Sequence, residues 1–157
     1  MKAADEIRGA VAARRQDAGL CYRIRPGRGA EVLLITSRGS GRWVIPKGWP
    51  MKGRTAAECA LREAFEEAGV EGRVGAEPLG LFGYDKRLDD GRFQPCIVSV
   101  HPIRVTRLRG DFPEKEQRRR RWFSPAKAAG KVAEPGLRAI LAAFDPDTIA
   151  APGRQDP

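Results

Sequence analysis

The stretch from Trp43 to Val70 constrains this chain most, because it carries Glu63, Glu66 and Glu67. On a helix, the spacings i, i+3 and i+4 place all three side chains on one face. Carboxylates stacked in this way repel one another by about 0.2–0.5 kcal/mol per exposed pair. A single neighbouring arginine, at position 62, cannot neutralise three of them. The pattern therefore indicates further cationic partners or bound metal cations.

The residues around the glutamates predict a well-capped helix. Thr55 can cap its N-terminus with Glu58 as the capping-box partner, and Gly69 can end it. Residues 43–45 before it have the composition of a strand, and residues 46–53 form a loop rich in glycine and proline. A strand, a glycine loop and a carboxylate-bearing helix suit hard divalent cations, which prefer oxygen ligands.

This run resembles the Nudix box of the Nudix hydrolases, G-x5-E-x7-R-E-U-x-E-E-x-G-U, in which U is aliphatic. The matching positions, in chain order, are Gly48, Arg62, Glu63, Ala64, Glu66, Glu67, Gly69 and Val70. One position differs, because Arg54 stands where the family has a glutamate. In the family that glutamate helps to hold the loop and the box arginine, and Arg54 does not reproduce this support of Arg62.

The resemblance extends beyond the box. The segments WVIPKGWPM, LGLFGYD and RRRRWFSPAKAA are similar to the branch that contains diphosphoinositol polyphosphate phosphohydrolases and dinucleoside polyphosphate hydrolases. It implies an α/β protein, specifically a Nudix-type α/β/α sandwich with a mixed β-sheet. We expect a Nudix hydrolase domain at residues 18–144, with a tail or short helix at 1–17 that docks through Ile7 and Val11. Residues 145–157, with three prolines, are predicted to be a disordered tail.

The charge distribution supports a site for a polyanion. Residues 55–70 carry one basic and four acidic groups, within a chain whose formal net charge is +9. An acidic helix in a basic chain is expected if cations bind the helix and a polyanion surrounds them. No apolar run approaches the roughly 18–20 residues that cross a bilayer, and the N-terminus lacks a signal-peptide core, so we expect a cytoplasmic protein without a membrane partner.

The remaining chemistry-bearing residue types predict no second centre. Cys21, Cys59 and Cys96 are far apart and form no C-x-x-C pair, which favours buried free thiols over zinc ligands. His101, the single histidine, lies in an apolar run and is most simply a core or edge residue. That run, residues 93–105, is predicted to be a long strand whose prolines place it at a sheet edge or a bulge.

The resemblance implies magnesium-dependent hydrolysis of a phosphoanhydride bond in a highly phosphorylated small molecule, either a dinucleoside polyphosphate or an inositol pyrophosphate. The expected cofactor is Mg²⁺, with Mn²⁺ as an alternative, as two or more ions. Glu63 and Glu67 are the preferred metal ligands, together with the Gly48 carbonyl, and Glu66 is a ligand or the base for the attacking water. Arg62 completes the catalytic set. A further ligand is expected from Glu114 or Glu116.

Basic and hydroxyl side chains are the candidates for holding phosphates, because arginine matches a phosphate bidentately. From the residues alone, the loop arginines could equally be solvated charges or phosphate ligands. The resemblance favours substrate binding by Arg23, Ser37, Arg38, Arg42 and Lys47. The four consecutive arginines at 118–121 contribute Arg119 and Arg121, which we interpret as lining an anionic pocket, in preference to a solvated face or a nucleic-acid surface.

An alternative function remains open at this point. The chain could be a Nudix-fold binding or regulatory module with weakened catalysis that holds RNA or another polyanion. The arginine at position 54 and the basic surplus motivate this reading, whereas the three retained glutamates argue against it. The sequence does not indicate an oligomeric state.

Overall fold

The computed structural model describes residues 12–149. The predicted docking through Ile7 and Val11 therefore lies outside the described residues, as does most of the predicted C-terminal tail. Within the described range, the strands are β1 (Arg14–Arg25), β2 (Gly29–Thr36), β3 (Trp43–Val44), β4 (Lys47–Gly48), β5 (Val70–Val74), β6 (Gly80–Arg87), β7 (Phe93–Leu108) and β8 (Arg120–Phe123). The helices are α1 (Ala56–Ala68), α2 (Pro125–Lys131) and α3 (Pro135–Ala142), followed by a short 3-10 turn at Pro146–Thr148.

The strands form one mixed sheet. Its central path runs β3-β2-β1-β7-β5, with β4 paired to β1, β6 to β7 and β8 to β2. Strands β1 and β7 run parallel over nine residue pairs, from Arg14 opposite Cys96 to Tyr22 opposite Arg104. The other pairings are antiparallel.

Helices cover both faces of this sheet. Helix α1 packs through Ala64 and Ala68 on the face that carries Cys21 of β1. Helices α2 and α3 pack on the opposite face, where Leu20 contacts a core that includes Leu137 and Leu141. Side chains alternate along β1, so each of its residues faces either α1 or the α2/α3 pair. Burial of each leucine stabilises this orientation of the strand by about 1.5–3 kcal/mol relative to exposure. The predicted α/β/α sandwich with a mixed sheet is confirmed.

Helix α1 has the predicted caps. The Thr55 hydroxyl accepts a hydrogen bond from the Glu58 amide at 3.1 Å, and the Glu58 carboxylate accepts one from the Thr55 amide at 2.9 Å. At the other end, Gly69 has a φ of 71°, the left-handed conformation that glycine adopts without strain. The caps fix the start and end of the helix that carries the three glutamates.

Two predictions about the chain ends differ from the structure. Strand β1 begins at Arg14, so residues 14–17, which we assigned to an N-terminal tail or short helix, belong to the central sheet. The stretch from 145 to 149 includes a 3-10 turn capped by Asp145, so this part of the predicted disordered tail is ordered. Polar residues in both stretches obscured these elements.

The prolines of β7 do not mark a sheet edge. This strand pairs with β1 on one side and with β6 and then β5 on the other. Pro102 falls between the last residue paired with β6, Val100, and the first residue paired with β5, Ile103. At this point neither β5 nor β6 requires a hydrogen bond from the backbone N–H that proline lacks.

Among the described residues, no helix is both long enough and apolar enough to cross a membrane. The three cysteines are free and buried, as predicted. His101 is also buried; its Nδ1 lies 3.0 Å from the Gly75 carbonyl and its Nε2 lies 3.1 Å from the Ser99 hydroxyl.

Candidate functional site

Gly48 allows a carboxylate to lie directly against the backbone. Strand β4 pairs with β1, so that Gly48 is opposite Asp17, and the Glu63 side chain reaches it from α1. A Cβ at position 48 would overlap the Glu63 carboxylate. A side chain at this position would displace the Glu63 carboxylate, so the first glycine of the motif leaves space for that carboxylate rather than providing a left-handed backbone conformation.

Glu67 lies one helical turn further on and is buried, with 8% of its surface exposed. Its Oε1 accepts a hydrogen bond from the Lys47 backbone N–H at 3.3 Å and lies 3.7 Å from Arg118 Nη2. Burial raises the pKa of Glu67 from 4.5 to about 8, with Arg118 acting against the rise and Glu63 adding to it. A buried carboxylate of this kind has too little positive charge around it.

Arg118 connects this carboxylate to a second one. Its Nε donates to Glu114 Oε1 at 2.7 Å, and its Nη1 donates to the Thr36 carbonyl at 3.0 Å. The Glu114 backbone N–H donates to the carbonyl of Glu66 at 3.0 Å, which fixes the segment before β8 on α1. Of the two glutamates that the sequence left open, Glu114 thus lies with the helix carboxylates, whereas Glu116 is exposed.

Glu63 and Glu66 differ in their surroundings. Burial raises the pKa of Glu63 above its ordinary value, and the charges of Glu66 and Glu114 raise it further. Glu66 is instead tied to Arg62, whose Nε donates to Glu66 Oε2 at 2.7 Å. Arg54 lines the same groove as Arg62, a depression of about 450 Å³ on the outer side of α1. The box arginine is therefore supported by a glutamate of its own helix.

Within residues 12–149, no three His, Cys, Asp or Glu side chains are arranged closely enough to form a metal site as they stand. The donor set nevertheless fits a hard divalent cation. Glu63, Glu67 and Glu114 supply carboxylate oxygens, and Gly48 leaves room beside its backbone. Burial raises the pKa values of Glu63 and Glu67, so a nearby cation would stabilise their charged forms.

A basic groove adjoins the carboxylates. It has a volume of about 430 Å³ and lies between the loop after β2 and the segment before β8, with Ser37, Arg38, Arg118 and Arg119 in its lining. Arg38 is exposed, and its Nη1 donates to Gln117 Oε1 at 3.1 Å across the groove. Arg118 lines the groove and also donates to Glu114, so the groove lies next to the carboxylate cluster.

Two predicted phosphate ligands lie at the margin of this site. Arg42 forms an ion pair of 3.8 Å with Glu134, at the start of α3. The Lys47 ammonium lies 5.0 Å from the centre of the Tyr84 ring, and burial lowers the pKa of this lysine, with Glu67 and Glu134 acting against the decrease. The Lys47 side chain therefore lies on the α2/α3 face, and only its backbone reaches Glu67.

The structure does not bring Arg23 and Arg121 to the carboxylates. Arg23 is six residues beyond Asp17 along β1, about 20 Å from the Gly48 pair at the usual strand rise. Its Nη2 forms an ion pair of 2.8 Å with Glu31 Oε1, and its Cζ lies 4.0 Å from the centre of the Trp122 ring. Arg121 pairs with Leu34 and so belongs to the α2/α3 face. The prediction that these two bind substrate at this site is corrected.

Sequence reasoning missed Arg118. We selected Arg119 and Arg121 from the four-arginine run by alternation, whereas the side chains that turn towards α1 are the other two. Arg120 Nη1 donates to the carbonyl of Ala68 at 2.7 Å and so holds the end of the helix. The spacing of four between Glu114 and Arg118 was the available signal, because that separation allows an ion pair across one turn.

Comparison with known proteins identifies the family of this domain. The family model of the NUDIX domain matches residues 14–144. Nudix hydrolase 12, mitochondrial, of Arabidopsis thaliana is 35% identical over 101 residues, which cover 62% of this chain and 50% of that protein. Diphosphoinositol polyphosphate phosphohydrolase 3-beta of Homo sapiens is 33% identical over 113 residues, which cover 70% of this chain and 63% of that protein. The chain thus spans about half to two thirds of the length of these relatives.

A solved structure agrees at the level of fold. The crystal structure of a C. elegans Ap4A hydrolase matches with a TM-score of 0.59 and 16% identity. The match covers 83% of this chain and 95% of that chain. At this identity the likeness concerns the architecture of the domain.

Proposed function

Because this chain belongs to the Nudix family, we propose that it is a metal-dependent pyrophosphohydrolase that cleaves a phosphoanhydride bond in a small molecule with several phosphates. One observation carries the proposal. The Glu63 carboxylate lies against Gly48, and Arg118, which also lines the basic groove, donates to Glu114 and lies 3.7 Å from Glu67. Carboxylates beside a basic groove suit a divalent cation that lies between the protein and a phosphate group. A phosphoanhydride substrate needs such a cation, because its negative charges are repelled by the carboxylates of the site.

The carboxylates would hold Mg²⁺ or Mn²⁺, as two or more ions. We assign this role to Glu63, Glu67 and Glu114, with the Gly48 carbonyl as a further oxygen. A divalent cation bound there would neutralise phosphate charge and make nearby water easier to deprotonate. Arg118 holds Glu67 and Glu114 in place before a cation binds, since it donates to one and lies 3.7 Å from the other.

Glu66 is the proposed general base. Its Oε2 accepts the hydrogen bond from Arg62, which orients the carboxylate and leaves Oε1 free to take a proton from water. In this assignment Arg62 is a positioning residue. The ion pair within the helix offsets the missing family glutamate at position 54.

The groove would bind the phosphates that are not cleaved. Ser37 and Arg38 line it, and an arginine fork there stabilises charge that develops on the leaving phosphate. The Arg119 guanidinium instead lies 5.8 Å from the centre of the Trp43 ring, on the α2/α3 face, so it is not assigned a phosphate contact. Arg42 and the Lys47 ammonium lie at the margin and would add positive potential rather than direct contacts. A groove with several cationic groups suits a substrate with many phosphates better than a simple diphosphate.

Two substrate classes fit this description, dinucleoside polyphosphates and inositol pyrophosphates. The name of the human relative describes a diphosphoinositol polyphosphate phosphohydrolase, and the C. elegans structure is described as an Ap4A hydrolase. Both classes present a phosphoanhydride within a dense cluster of negative charge, as the groove and the cation site require.

The test is phosphate release from diadenosine polyphosphates, an inositol pyrophosphate, nucleoside triphosphates and ADP-ribose, each with Mg²⁺ and with EDTA. We expect turnover that requires Mg²⁺ and favours the substrates with the most phosphates. No turnover of any compound by the folded chain would contradict the proposal. Salt-sensitive RNA binding without turnover would instead favour a binding module that holds polyanions.

A further inference from the structure

Asp17 is a buried acid that the proposed mechanism does not use. None of its surface is exposed, and its Oδ1 has no hydrogen-bond partner among the described residues. Its Oδ2 lies 3.4 Å from Arg15 Nη2, whose side chain is 55% exposed. A carboxylate taken out of water needs partners for its lone pairs, so the free oxygen indicates a missing group.

The Asp17 side chain lies on the α1 face of the sheet. Side chains alternate along β1, and Cys21 packs against α1, so residues 17, 19 and 21 share that face. A Cβ added at Gly19 would lie 3.5 Å from the carbonyl of Ala60 in α1, which agrees with this assignment. Asp17 therefore lies on the side of the sheet where α1 brings its glutamates.

The neighbour of Asp17 in the sheet is Gly48. Directly opposite residues of antiparallel strands place their Cβ positions about 4.5–5.5 Å apart on one face. Gly48 has no Cβ, and the Glu63 carboxylate fills that position. The Asp17 side chain and the Glu63 carboxylate therefore flank the same glycine, beside the backbone that we assign to the cation site.

The other neighbour, Ser99, does not provide the missing partner. It is opposite Asp17 in β7, but its hydroxyl is used by His101 Nε2 at 3.1 Å. The Gly75 carbonyl can only accept, so His101 Nδ1 carries a proton. Ser99 makes no hydrogen bond to Asp17 Oδ1.

We propose that Asp17 is a further carboxylate of the cation site, which binds a divalent cation at Glu63 and Gly48 directly or through one water. This inference rests on the proposed function. A cation there would give Oδ1 its partner and would offset the repulsion between the charges of Asp17 and Glu63. Asp17 is outside the glutamate motif and on another element, so the motif alone does not reveal it.

The test compares Asp17→Asn with Asp90→Asn in a Mn²⁺ titration followed by electron paramagnetic resonance of the free ion. Asp90 is an exposed acid in the turn between β6 and β7, so its substitution removes the same charge far from the site. We expect Asp17→Asn to weaken Mn²⁺ binding about tenfold or more, as loss of a supporting carboxylate does. Asp90→Asn should bind Mn²⁺ like the wild type.

A second measurement uses the wild-type chain and so does not depend on folding of the variant. The side-chain ¹³C carboxyl resonance of Asp17 should shift when Mg²⁺ is added, and that of Asp90 should not. Equal Mn²⁺ affinity of wild type and Asp17→Asn, or an unchanged Asp17 resonance, would overturn the inference.

Glu67→Gln separates this inference from the proposed function. If Glu67→Gln loses Mn²⁺ affinity while Asp17→Asn keeps it, only the role of Asp17 is overturned. If the wild type does not bind Mn²⁺, or Glu67→Gln binds it as tightly as the wild type does, the cation site itself is contradicted. Loss of affinity in both variants, with Asp90→Asn unaffected, supports both proposals.

Discussion

Glu67 shows how a single position sets the chemistry of this site. It is buried on α1, accepts the Lys47 amide and has Arg118 at 3.7 Å as its nearby cation. These surroundings raise its pKa, because one arginine does not balance burial and the adjacent Glu63. Ionising such a carboxylate costs free energy in the metal-free protein, and a bound divalent cation would offset that cost.

This raised pKa predicts how stability depends on pH. The folded chain holds the Glu67 proton up to a pKa of about 8, whereas the unfolded chain releases it near 4.5. Between these values the folded state binds more protons, so this group lowers the free energy of unfolding as the pH rises. In EDTA, we expect the melting temperature to fall more from about pH 5.5 to about pH 8.5 in the wild type than in Glu67→Gln.

Thermal melting of both proteins in matched buffers measures this difference. Added Mg²⁺ should restore stability to the wild type at the higher pH, because binding favours the deprotonated carboxylate. The same pH dependence in both proteins would show that Glu67 does not hold a raised pKa in the folded state.

At the scale of elements, the site is assembled where three of them meet: strand β4, helix α1 and the segment between β7 and β8. The caps of α1 and the positions of its glutamates could be predicted from the sequence, because they depend on local spacing. The position of Asp17 could not, since it depends on a pairing between strands distant in sequence, and for Arg118 only the spacing of four from Glu114 was a signal. The prolines of β7 indicated an irregularity but not the change of partner at Pro102, which depends on where β5 and β6 pair.

Two arginines on different elements, Arg38 in the loop after β2 and Arg121 in β8, should differ in their effect on substrate binding when they are replaced. Arg38 lies in the groove, whereas Arg121 lies on the α2/α3 face. A hydrogen bond to a charged group contributes about 1.5–3 kcal/mol, so Arg38→Gln should raise KM about tenfold or more. Arg121→Gln, with the same change of charge, should leave KM nearly unchanged.

Steady-state kinetics on the best substrate of the phosphate panel measures both variants. An equal rise in KM for the two would mean that net charge, rather than the groove, governs substrate binding. Such a result would also remove Arg38 from the proposed contacts.

At the scale of the whole molecule, the sandwich places an acidic centre within a basic chain. The formal net charge is +9, yet Glu63, Glu67 and Glu114 gather at one end of α1. The long-range positive field attracts a polyanion, and the local negative charge attracts cations to meet it. Family membership and the α/β/α architecture were predictable from the box and its flanks, whereas the positions of the phosphate-binding arginines required the fold.

The most direct test of the central claim is the rate of Mg²⁺-dependent phosphate release by Glu67→Gln compared with Glu116→Gln. Both substitutions remove one glutamate charge, but Glu67 is in the carboxylate cluster, whereas Glu116 is exposed and makes no contact with that cluster. We predict that Glu67→Gln loses at least about 100-fold in kcat, because the cation that activates water loses a ligand. Glu116→Gln should keep its kcat within a fewfold of the wild type and change mainly KM, because Glu116 lies in the phosphate groove. Near-normal turnover by a folded Glu67→Gln protein would contradict the account.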